Sequence, residues 1–303
     1  MKVGFIGLGG IGKPMAINVA RAGFELTVCD LREGPVNELT TLGATAAASP
    51  REVATSSDIV LASLPSNEAS IEVALGPKGV LAGTEPGDIY IELSTISPEV
   101  VQRIGSAARD VGVDVIDAPV SGGIAQREAG TLSVMAGGES APLERARPVL
   151  QAFGERIFHT GGPGTGATVK LINNMLAGIN MIATMEAMAL GAKSGLTVDT
   201  LREVIRASSG NSGLFAGLVE NIMTVDPQPQ PGELASQGLH TIGKDVQLAV
   251  ELAQAKGVPL VLGSPAAQVF TSGLARGWAE QEYWSIMQIF EEMSAIQVRP
   301  IQY

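Results

Sequence analysis

The pattern of apolar residues changes close to residue 163, and this change limits the possible folds. Before it, short apolar runs alternate with amphipathic segments, and after it only segments with helical periodicity follow. The apolar runs that predict strands are 2–7, 25–30, 58–64, 88–94, 114–119, 131–138 and 156–161. Alternation of strands and helices predicts a mostly parallel sheet with helices on both faces. The sequence therefore predicts an α/β domain over residues 1–163 and an all-α domain over residues 164–303.

Helices are predicted in both parts of the chain. The segments are near 11–22, 35–41, 67–74 and 98–110 in the first part, and 165–194, 198–207, 239–256, 264–276 and 284–296 in the second. The long segment 165–194 is predicted to join the two domains. Its apolar stretch, 171–192, contains three asparagines and a glutamate. That composition suits a buried helix of a soluble protein better than a membrane span.

A glycine loop, GLGGIG (7–12), follows the first predicted strand directly and opens a predicted helix. In such a loop Gly7 permits the tight turn, Gly9 lets the backbone approach a pyrophosphate, and Gly12 allows the helix to pack closely on the strand. The helix N-terminus then offers unpaired N–H groups to the phosphates. The spacing predicts a dinucleotide site formed by Gly7, Leu8, Gly9, Gly10, Ile11 and Gly12. The alternative is a tight turn without a ligand.

An acidic residue, Asp30, ends the second predicted strand, where a ribose 2′-hydroxyl would need a hydrogen-bond acceptor. A carboxylate at this position repels the 2′-phosphate of NADP, so Asp30 favours NAD. Arg32 weakens this inference, because a cation there could pair with the same phosphate. As an alternative, Arg32 is a solvated loop residue. The sequence therefore predicts NAD as the cofactor and leaves NADP open.

Charge and cysteine content limit the partners and the compartment. The chain has 20 basic and 31 acidic residues, a formal net charge of −11, so we expect neither nucleic acid nor an anionic membrane as a partner. Its single cysteine, Cys29, allows no intramolecular disulfide, which fits a reducing compartment. The N-terminus lacks the long apolar region and cleavage site of a signal peptide. We therefore expect a cytoplasmic protein, and we predict no metal site.

A lysine, Lys170, interrupts the apolar helix that begins after the glycines of GTGATVKLINN (164–174). Residues four apart share one face of a helix, so Lys170 and Asn174 point the same way. A lysine in an apolar pocket loses hydration, which lowers its pKa and lets it exchange a proton near neutral pH. On spacing alone, an equally good interpretation is a lysine that extends from a buried helix to solvent.

Four motifs occur in a characteristic order: FIGLGGIGKPMA (5–16), DAPVSGG (117–123), GTGATVKLINN (164–174) and KDVQLA (244–249). On these motifs the whole chain resembles the β-hydroxyacid dehydrogenases, the group that includes 3-hydroxyisobutyrate dehydrogenase and tartronate semialdehyde reductase. The resemblance implies a Rossmann-type domain followed by a helical domain. It also implies hydride transfer between NAD(P) and a small β-hydroxyacid or its semialdehyde, in a homodimer or homotetramer.

The same resemblance assigns roles to residues. It makes Lys170 the general acid/base and places Asn174 and Lys244 against the substrate, with Lys244 also near the nicotinamide. It assigns the substrate carboxylate to Ser121, Gly122 and Gly123, and places Leu64, Pro65 and Thr95 against the cofactor. A hydroxyl with consecutive backbone N–H groups can form an anion-binding nest. From the residues alone, a plain turn at 121–123 and strand-end packing at 64, 65 and 95 remain alternatives.

The sequence also departs from the family pattern. Ile11 stands where methionine is usual, a volume-conserving exchange. Gln126 and Arg127 stand where small residues are common, and Arg127 either pairs with a second acidic group of the substrate or is a surface cation. The proline-rich loop 225–233 is longer than usual, and His240 precedes Lys244 by four residues, where it is expected to pack rather than react.

Two other functions fit the same architecture. Imine reductases share these cofactor motifs, and some members of the fold bind a cofactor without catalysis. By resemblance, both groups generally lack the lysine that corresponds to Lys170. The lysine therefore favours the dehydrogenase over either alternative.

Overall fold

A computed structural model of the chain describes residues 1–224, 226–228 and 238–298. The chain divides into two compact units, Met1–Lys170 (unit 1) and Leu171–Tyr303 (unit 2). Most of the predicted proline-rich loop 225–233 lies outside the described residues.

Unit 1 is built on a nine-stranded sheet. The strands are β1 (Lys2–Ile6), β2 (Glu25–Cys29), β3 (Thr45–Ala46), β4 (Ile59–Ala62), β5 (Ile89–Glu92), β6 (Asp114–Asp117), β7 (Val120–Ser121), β8 (Leu132–Gly137) and β9 (Gly154–Gly161). The first six are parallel, in the order β3-β2-β1-β4-β5-β6. β8 is antiparallel to β6 and β7, and β9 pairs with β8 in parallel. This order, which reverses between β1 and β4, is that of a Rossmann-type fold and confirms the predicted fold class.

Helices cover both faces of this sheet. They are α1 (Gly12–Arg21), α2 (Glu33–Thr41), α3 (Pro50–Thr55), α4 (Asn67–Leu75), α5 (Pro98–Asp110), α6 (Ile124–Ala129) and α7 (Ser140–Leu150). Along β1, Val3 and Phe5 enter the core beneath α1, α2 and α7, whereas Ile6 enters the core beneath α3, α4 and α5. Because side chains alternate between faces and both faces are buried here, the central strands β1 and β4 are almost wholly apolar and buried.

The helical part of the chain begins with one long helix, α8 (Thr165–Lys193), which starts in unit 1 and continues into unit 2. The other helices are α9 (Val198–Arg206), α10 (Phe215–Thr224), α11 (Leu239–Ala255), α12 (Gly263–Ala275) and α13 (Met287–Ser294). Met185, Phe270 and Trp284 lie in the buried core of unit 2. An added Cβ on Gly178 would lie 2.7 Å from Val246 Cγ2, so this glycine lets α8 and α11 approach closely.

Helix α8 is the one helix in the described ranges that is long and apolar enough to cross a membrane. Length and composition are the only grounds for that assignment, and the core helix of a soluble protein meets the same criteria. Helix α8 contributes Met181, Ile182, Met185 and Met188 to the core of unit 2, so its length and composition are weak evidence for a membrane span.

The predicted strands and helices are all present, with ends that differ by a few residues. The elements that the sequence did not predict are β3, β7, α3, α6, α7 and α10. Helices α3 and α6 have only six residues each, too few to display a helical period. Helix α7 contains Pro148 in its interior, and a proline at such a position argues against a helix.

Candidate active site

The glycine loop lies at the carboxyl end of β1, beside the point where the strand order reverses. Gly7 has a φ of +87°, and an added Cβ would collide with the Ser63 carbonyl oxygen. A Cβ on Gly12 would collide with the Gly7 carbonyl oxygen. At Gly9, by contrast, an added Cβ would meet only Arg32 Nη2, at 4.0 Å. The backbone is therefore tightly packed at Gly7 and Gly12 and accessible at Gly9, which fits the pyrophosphate of a dinucleotide.

Asp30 follows β2 and holds this loop. Its carboxylate accepts hydrogen bonds from the Leu8 N–H (2.6 Å), the Arg32 N–H (2.8 Å) and Arg32 Nε (3.0 Å). Burial of the carboxyl acts to raise its pKa, but the hydrogen bonds from Arg32 and Leu8 outweigh burial and lower the pKa of Asp30 below its ordinary value. Asp30 is therefore anionic at neutral pH. Arg32 Nη2 also donates to the Leu8 carbonyl (3.1 Å), so the half-exposed arginine contacts both the acid and the loop.

A second buried acid, Glu92, ends β5. Its Oε1 accepts from the Ser94 N–H (3.0 Å), and its Oε2 accepts from the Tyr90 hydroxyl (2.9 Å). The Ser94 hydroxyl in turn accepts from the Leu64 N–H (2.7 Å). Burial raises the pKa of Glu92. This chain of hydrogen bonds links the segment after β4, which contains Leu64 and Pro65, to the segment after β5, which contains Thr95.

A third buried acid, Asp117, ends β6 and is 1% exposed. Its Oδ1 accepts from the Gly164 N–H and its Oδ2 from the Ala167 N–H, each at 2.7 Å. Burial raises the pKa of Asp117 to about 6, against the opposing effect of these hydrogen bonds. The carboxyl group therefore binds backbone amides at the start of α8, the helix that carries Lys170.

The predicted carboxylate-binding residues lie where β7 ends and α6 begins. Ser121 belongs to β7 and pairs with Ser133 of β8. The Gly123 N–H, expected to face a substrate anion, donates to Gln126 Oε1 at 3.0 Å. Gln126, one of the departures from the family pattern, therefore accepts from an N–H group that is predicted to bind the substrate.

In unit 2, a buried carboxylate connects two of the predicted site residues. Asp245 on α11 is 3% exposed, and its Oδ2 accepts from Asn174 Nδ2 on α8 at 2.6 Å. Lys244 Nζ lies 2.9 Å from Asp245 Oδ1. Asp245 thus fixes the Asn174 amide and the neighbouring ammonium group together.

Lys170 itself is 8% exposed, so its side chain does not extend freely into solvent. It lies on α8 one turn before Asn174, as the spacing predicted. Lys170 and Asn174 therefore share one face of α8, and Lys170 is buried there.

Arg127 and His240 each take part in a contact that involves a backbone carbonyl. The Arg127 carbonyl accepts from Asn18 Nδ2 at 2.9 Å, which ties α6 to α1. His240 Nδ1 lies 2.9 Å from the Ala279 carbonyl oxygen, and the ring is exposed. In the described ranges, no group of three or more His, Cys, Asp or Glu side chains could hold a metal ion.

The hydrogen bonds of Glu92, Ser94, Asp117 and Asp245 are not predicted from the sequence. One signal could have identified two of them: β5 and β6 end in an acid, as β2 is followed by one. Parallel strands place their carboxyl ends at one edge, so acids there lie near ligand-binding loops. Asp245 has no such local signal, because its partner Asn174 is 71 residues away in the sequence.

Comparison with known proteins agrees with this geometry. Residues 2–161 match the family model of the NAD binding domain of 6-phosphogluconate dehydrogenase, and residues 164–290 match that of the NAD-binding region of NADP-dependent 3-hydroxyisobutyrate dehydrogenase. The chain belongs to the β-hydroxyacid dehydrogenase family. It is accordingly an NAD(P)-dependent oxidoreductase of hydroxyacids.

Several members of the β-hydroxyacid dehydrogenase family resemble the chain over nearly its full length. It is 38% identical to 2-(hydroxymethyl)glutarate dehydrogenase of Eubacterium barkeri, over 98% of this chain and 97% of the relative. It is also 38% identical to NAD-dependent L-serine dehydrogenase of Pseudomonas aeruginosa, over 96% of this chain and 98% of the relative. The crystal structure of 3-hydroxyisobutyrate dehydrogenase from Salmonella typhimurium superposes with a TM-score of 0.85, at 32% identity, and covers 95% of this chain and 99% of that one.

Solved imine reductases also share the fold. An imine reductase from Myxococcus stipitatus has a TM-score of 0.64 and 18% identity, a likeness that shows the fold alone. The hydroxyacid dehydrogenases are much more similar in sequence, so the imine reductase alternative is the weaker one.

Proposed function

We propose that this β-hydroxyacid dehydrogenase uses Lys170 as its general acid/base. The observation that carries the proposal is a buried lysine one helical turn before Asn174, whose amide Asp245 holds. During oxidation, Lys170 Nζ takes the proton from the substrate hydroxyl as the carbonyl forms. During reduction, it returns a proton to the developing alkoxide. The bound nicotinamide supplies the hydride chemistry, and the protein supplies orientation and proton transfer.

Three relatives support a proposal for the substrate class. L-serine, 3-hydroxyisobutyrate and 2-(hydroxymethyl)glutarate share a carboxylate and a hydroxymethyl group on the adjacent carbon, and they differ in the remaining substituent. We infer that this chain acts on such a 2-substituted 3-hydroxypropanoate. Ser121, Gly122 and Gly123 would bind the carboxylate, with Gln126 releasing the Gly123 N–H, and Asn174 and Lys244 would bind the hydroxyl side.

The cofactor would lie across the carboxyl ends of β1, β2, β4 and β5. Gly7–Gly12 would hold the pyrophosphate, and Leu64, Pro65 and Thr95 would contact the nicotinamide half. Asp30, with its lowered pKa, would accept hydrogen bonds from the adenosine ribose, which favours NAD over NADP.

The test combines a lysine variant with a matched control on the same helix. Lys170→Ala should lower kcat by about 10²–10⁴-fold. Lys193→Ala, which removes an exposed lysine bonded to the Ser294 carbonyl, should retain full activity. Turnover is followed by NADH absorbance, with NAD or NADP and each of the three acids, and NADH affinity is measured separately by fluorescence.

Each result has a distinct meaning. Loss of kcat with unchanged NADH affinity supports proton transfer by Lys170. Equal activity of Lys170→Ala and the wild type would refute it. Binding of NADH without turnover of any acid by the wild type would refute the proposed substrate class.

We further propose a cytoplasmic homo-oligomer that binds neither nucleic acid nor membrane. Helix α8 exposes an apolar stripe on its unit 2 part, formed by Ile172, Leu176, Ala183, Ala187 and Leu190. These residues recur at helical spacing, as expected of a subunit interface. The buried free thiol of Cys29 fits a reducing compartment. Sedimentation velocity should show a dimer or tetramer, and Leu176→Glu should shift it towards monomer.

A further inference from the structure

Asp117 belongs to the DAPVSGG motif, but the substrate role assigned to that motif does not involve it. Its carboxylate reaches from the end of β6 to the N–H groups of Gly164 and Ala167, 47 and 50 residues away in the sequence. The first N–H groups of any helix lack intrahelical partners, and a side-chain acceptor normally comes from the residue just before the helix. Here the acceptor comes from the sheet. The second and third sequence motifs are therefore physically joined by one carboxyl group.

The surrounding backbone leaves just enough room for this carboxyl. An added Cβ on Gly137 of β8 would lie 2.6 Å from Asp117 Oδ1 and 2.8 Å from the Gly166 nitrogen. An added Cβ on Gly166 would lie 2.9 Å from Asp117 Oδ2. Two glycines on different elements thus border the same carboxyl, and β6 pairs with β8 at Asp117 and Gly137. Any side chain at either glycine would push the carboxyl and the start of α8 apart.

A second contact ties the same turn to the sheet. Thr165 Oγ1 lies 2.8 Å from Thr160 Oγ1 at the end of β9, and Thr160 also donates to the Ala136 carbonyl at 3.1 Å. The start of α8 is therefore held from two sides. Lys170 follows Ala167 by three residues, so one helical turn separates it from the amide that Asp117 binds.

We infer that Asp117 is a positioning residue for catalysis: it fixes where α8 begins on the sheet of unit 1 and thereby places the Lys170 amine. The inference rests on the proposed role of Lys170. A helix is stiff along its axis, so displacement of its first turn carries Lys170 with it. A displacement of about 1 Å in a catalytic group can cost about 10²-fold in rate.

The experiment compares four variants with the wild type. Asp117→Asn keeps the shape of the side chain but turns an NH₂ group towards one of the two amides. Gly137→Ala leaves Asp117 intact and pushes its carboxyl aside. Gly162→Ala is the matched control, because an added Cβ there meets no atom within 4 Å. Lys170→Ala reports on the proposed acid/base separately.

Three kinds of measurement are made: steady-state kinetics (kcat and KM) with NAD and the three acids, NADH affinity, and amide hydrogen exchange of residues 164–170. We expect Asp117→Asn and Gly137→Ala to lower kcat by about 10–100-fold, with NADH affinity unchanged and faster exchange confined to the first turn of α8. Gly162→Ala should match the wild type in all three. A cap with only a structural role would speed exchange without lowering kcat.

The two proposals fail in different ways. If Lys170→Ala remains active, the acid/base role is wrong, whatever Asp117 does. If Lys170→Ala is inactive while both Asp117→Asn and Gly137→Ala keep the wild-type kcat, the positioning role is overturned and the acid/base role stands. If Asp117→Asn does not fold, Gly137→Ala decides the question by the same kcat criterion. If Gly137→Ala does not fold either, amide hydrogen exchange of the wild type tests the positioning role. The role is overturned if the first turn of α8 exchanges as fast as the exposed ends of the other helices.

Discussion

The two units hold their polar groups in different ways. In unit 1, Asp30, Glu92 and Asp117 end or follow parallel strands, and each accepts at least one backbone N–H. In unit 2, the buried carboxylate of Asp245 contacts the side chains of Asn174 and Lys244. Main-chain N–H groups therefore bind all three acids of unit 1, whereas the carboxylate in unit 2 binds two side chains. In unit 1, a residue that donates only its backbone N–H to one of these acids should tolerate substitution of its side chain. In unit 2, Asn174 and Lys244 should not, because their side chains make the contacts.

The largest effect on activity is expected when Asp245 is removed, because this tests whether side-chain contacts position the unit 2 residues. In the Asp245→Ala variant, Asn174 and Lys244 lose the group that orients them, so kcat/KM should fall by about 10²-fold. Gln247→Ala, three positions from Lys244 on the same helix but bonded only to exposed Glu251, should retain activity. Steady-state kinetics with NAD and the three acids measures both. If Asp245→Ala keeps nearly full activity, side-chain contacts do not position the unit 2 residues.

The next largest effect is expected at Asp30. Its removal in Asp30→Ala frees the Leu8 N–H and deletes the proposed ribose acceptor, so the KM for NAD should rise about tenfold, or about 1.4 kcal/mol. The same change should relieve repulsion of a 2′-phosphate and improve use of NADP. Asp58→Ala is the control, because Asp58 bonds the Lys2 N–H at the start of β1 rather than its end. An unchanged NAD/NADP ratio would show that Asp30 only shapes the loop.

A smaller effect, on stability, concerns the pKa of Asp117. Its pKa is about 6 in the folded chain and 3.8 ordinarily, so the folded state binds the proton more tightly. Between these two values stability must fall as pH rises, because the unfolded state releases its proton first. From about pH 5 to pH 8, the stability advantage of the wild type over Asp117→Asn should shrink by about 1 kcal/mol.

Urea unfolding followed by far-UV circular dichroism, at pH values above the isoelectric point of about 4.7, measures this difference. Titrations that the wild type and Asp117→Asn share cancel in the comparison. A difference that stays constant or widens with pH would contradict the raised pKa. It would also show that backbone amides stabilise the ionised Asp117 at least as much as burial destabilises it.

The smallest effect is expected at Arg32. Its guanidinium is half exposed, and exposed ion pairs contribute at most about 1 kcal/mol. The Arg32→Ala variant should therefore keep its KM for NAD within about threefold, since the Leu8 N–H still holds Asp30. Kinetics with NADP distinguishes the two interpretations of Arg32, a solvated loop residue and a partner for the 2′-phosphate of NADP. A selective loss of NADP use would show that Arg32 turns from Asp30 to a 2′-phosphate.

Much of unit 1 could be predicted because its signals are local. The GLGGIG loop, the strand before it and the helix after it are contiguous, and Gly7 and Gly12 are glycines because the backbone itself approaches there. Helices α3 and α6 could not be predicted, since six residues show no period. The bond between the Gly123 N–H and Gln126 was not predicted either, because it depends on a side-chain rotamer.

From the amino-acid sequence, most strands and helices could be predicted in order, together with the glycine loop, the acid after β2 and the shared helical face of Lys170 and Asn174. Each of these depends on residues within a few turns of one another. Two contacts could be seen only in the folded chain: Asp117 binds the start of α8, and Asp245 binds Asn174. Those partners are 47 to 71 residues apart, and no periodicity relates them. Asp117 meets the start of α8 because Gly137 of β8 pairs with Asp117 on one side and with Gly161, shortly before α8, on the other. Asp245 meets Asn174 because Gly178 lets α8 approach α11.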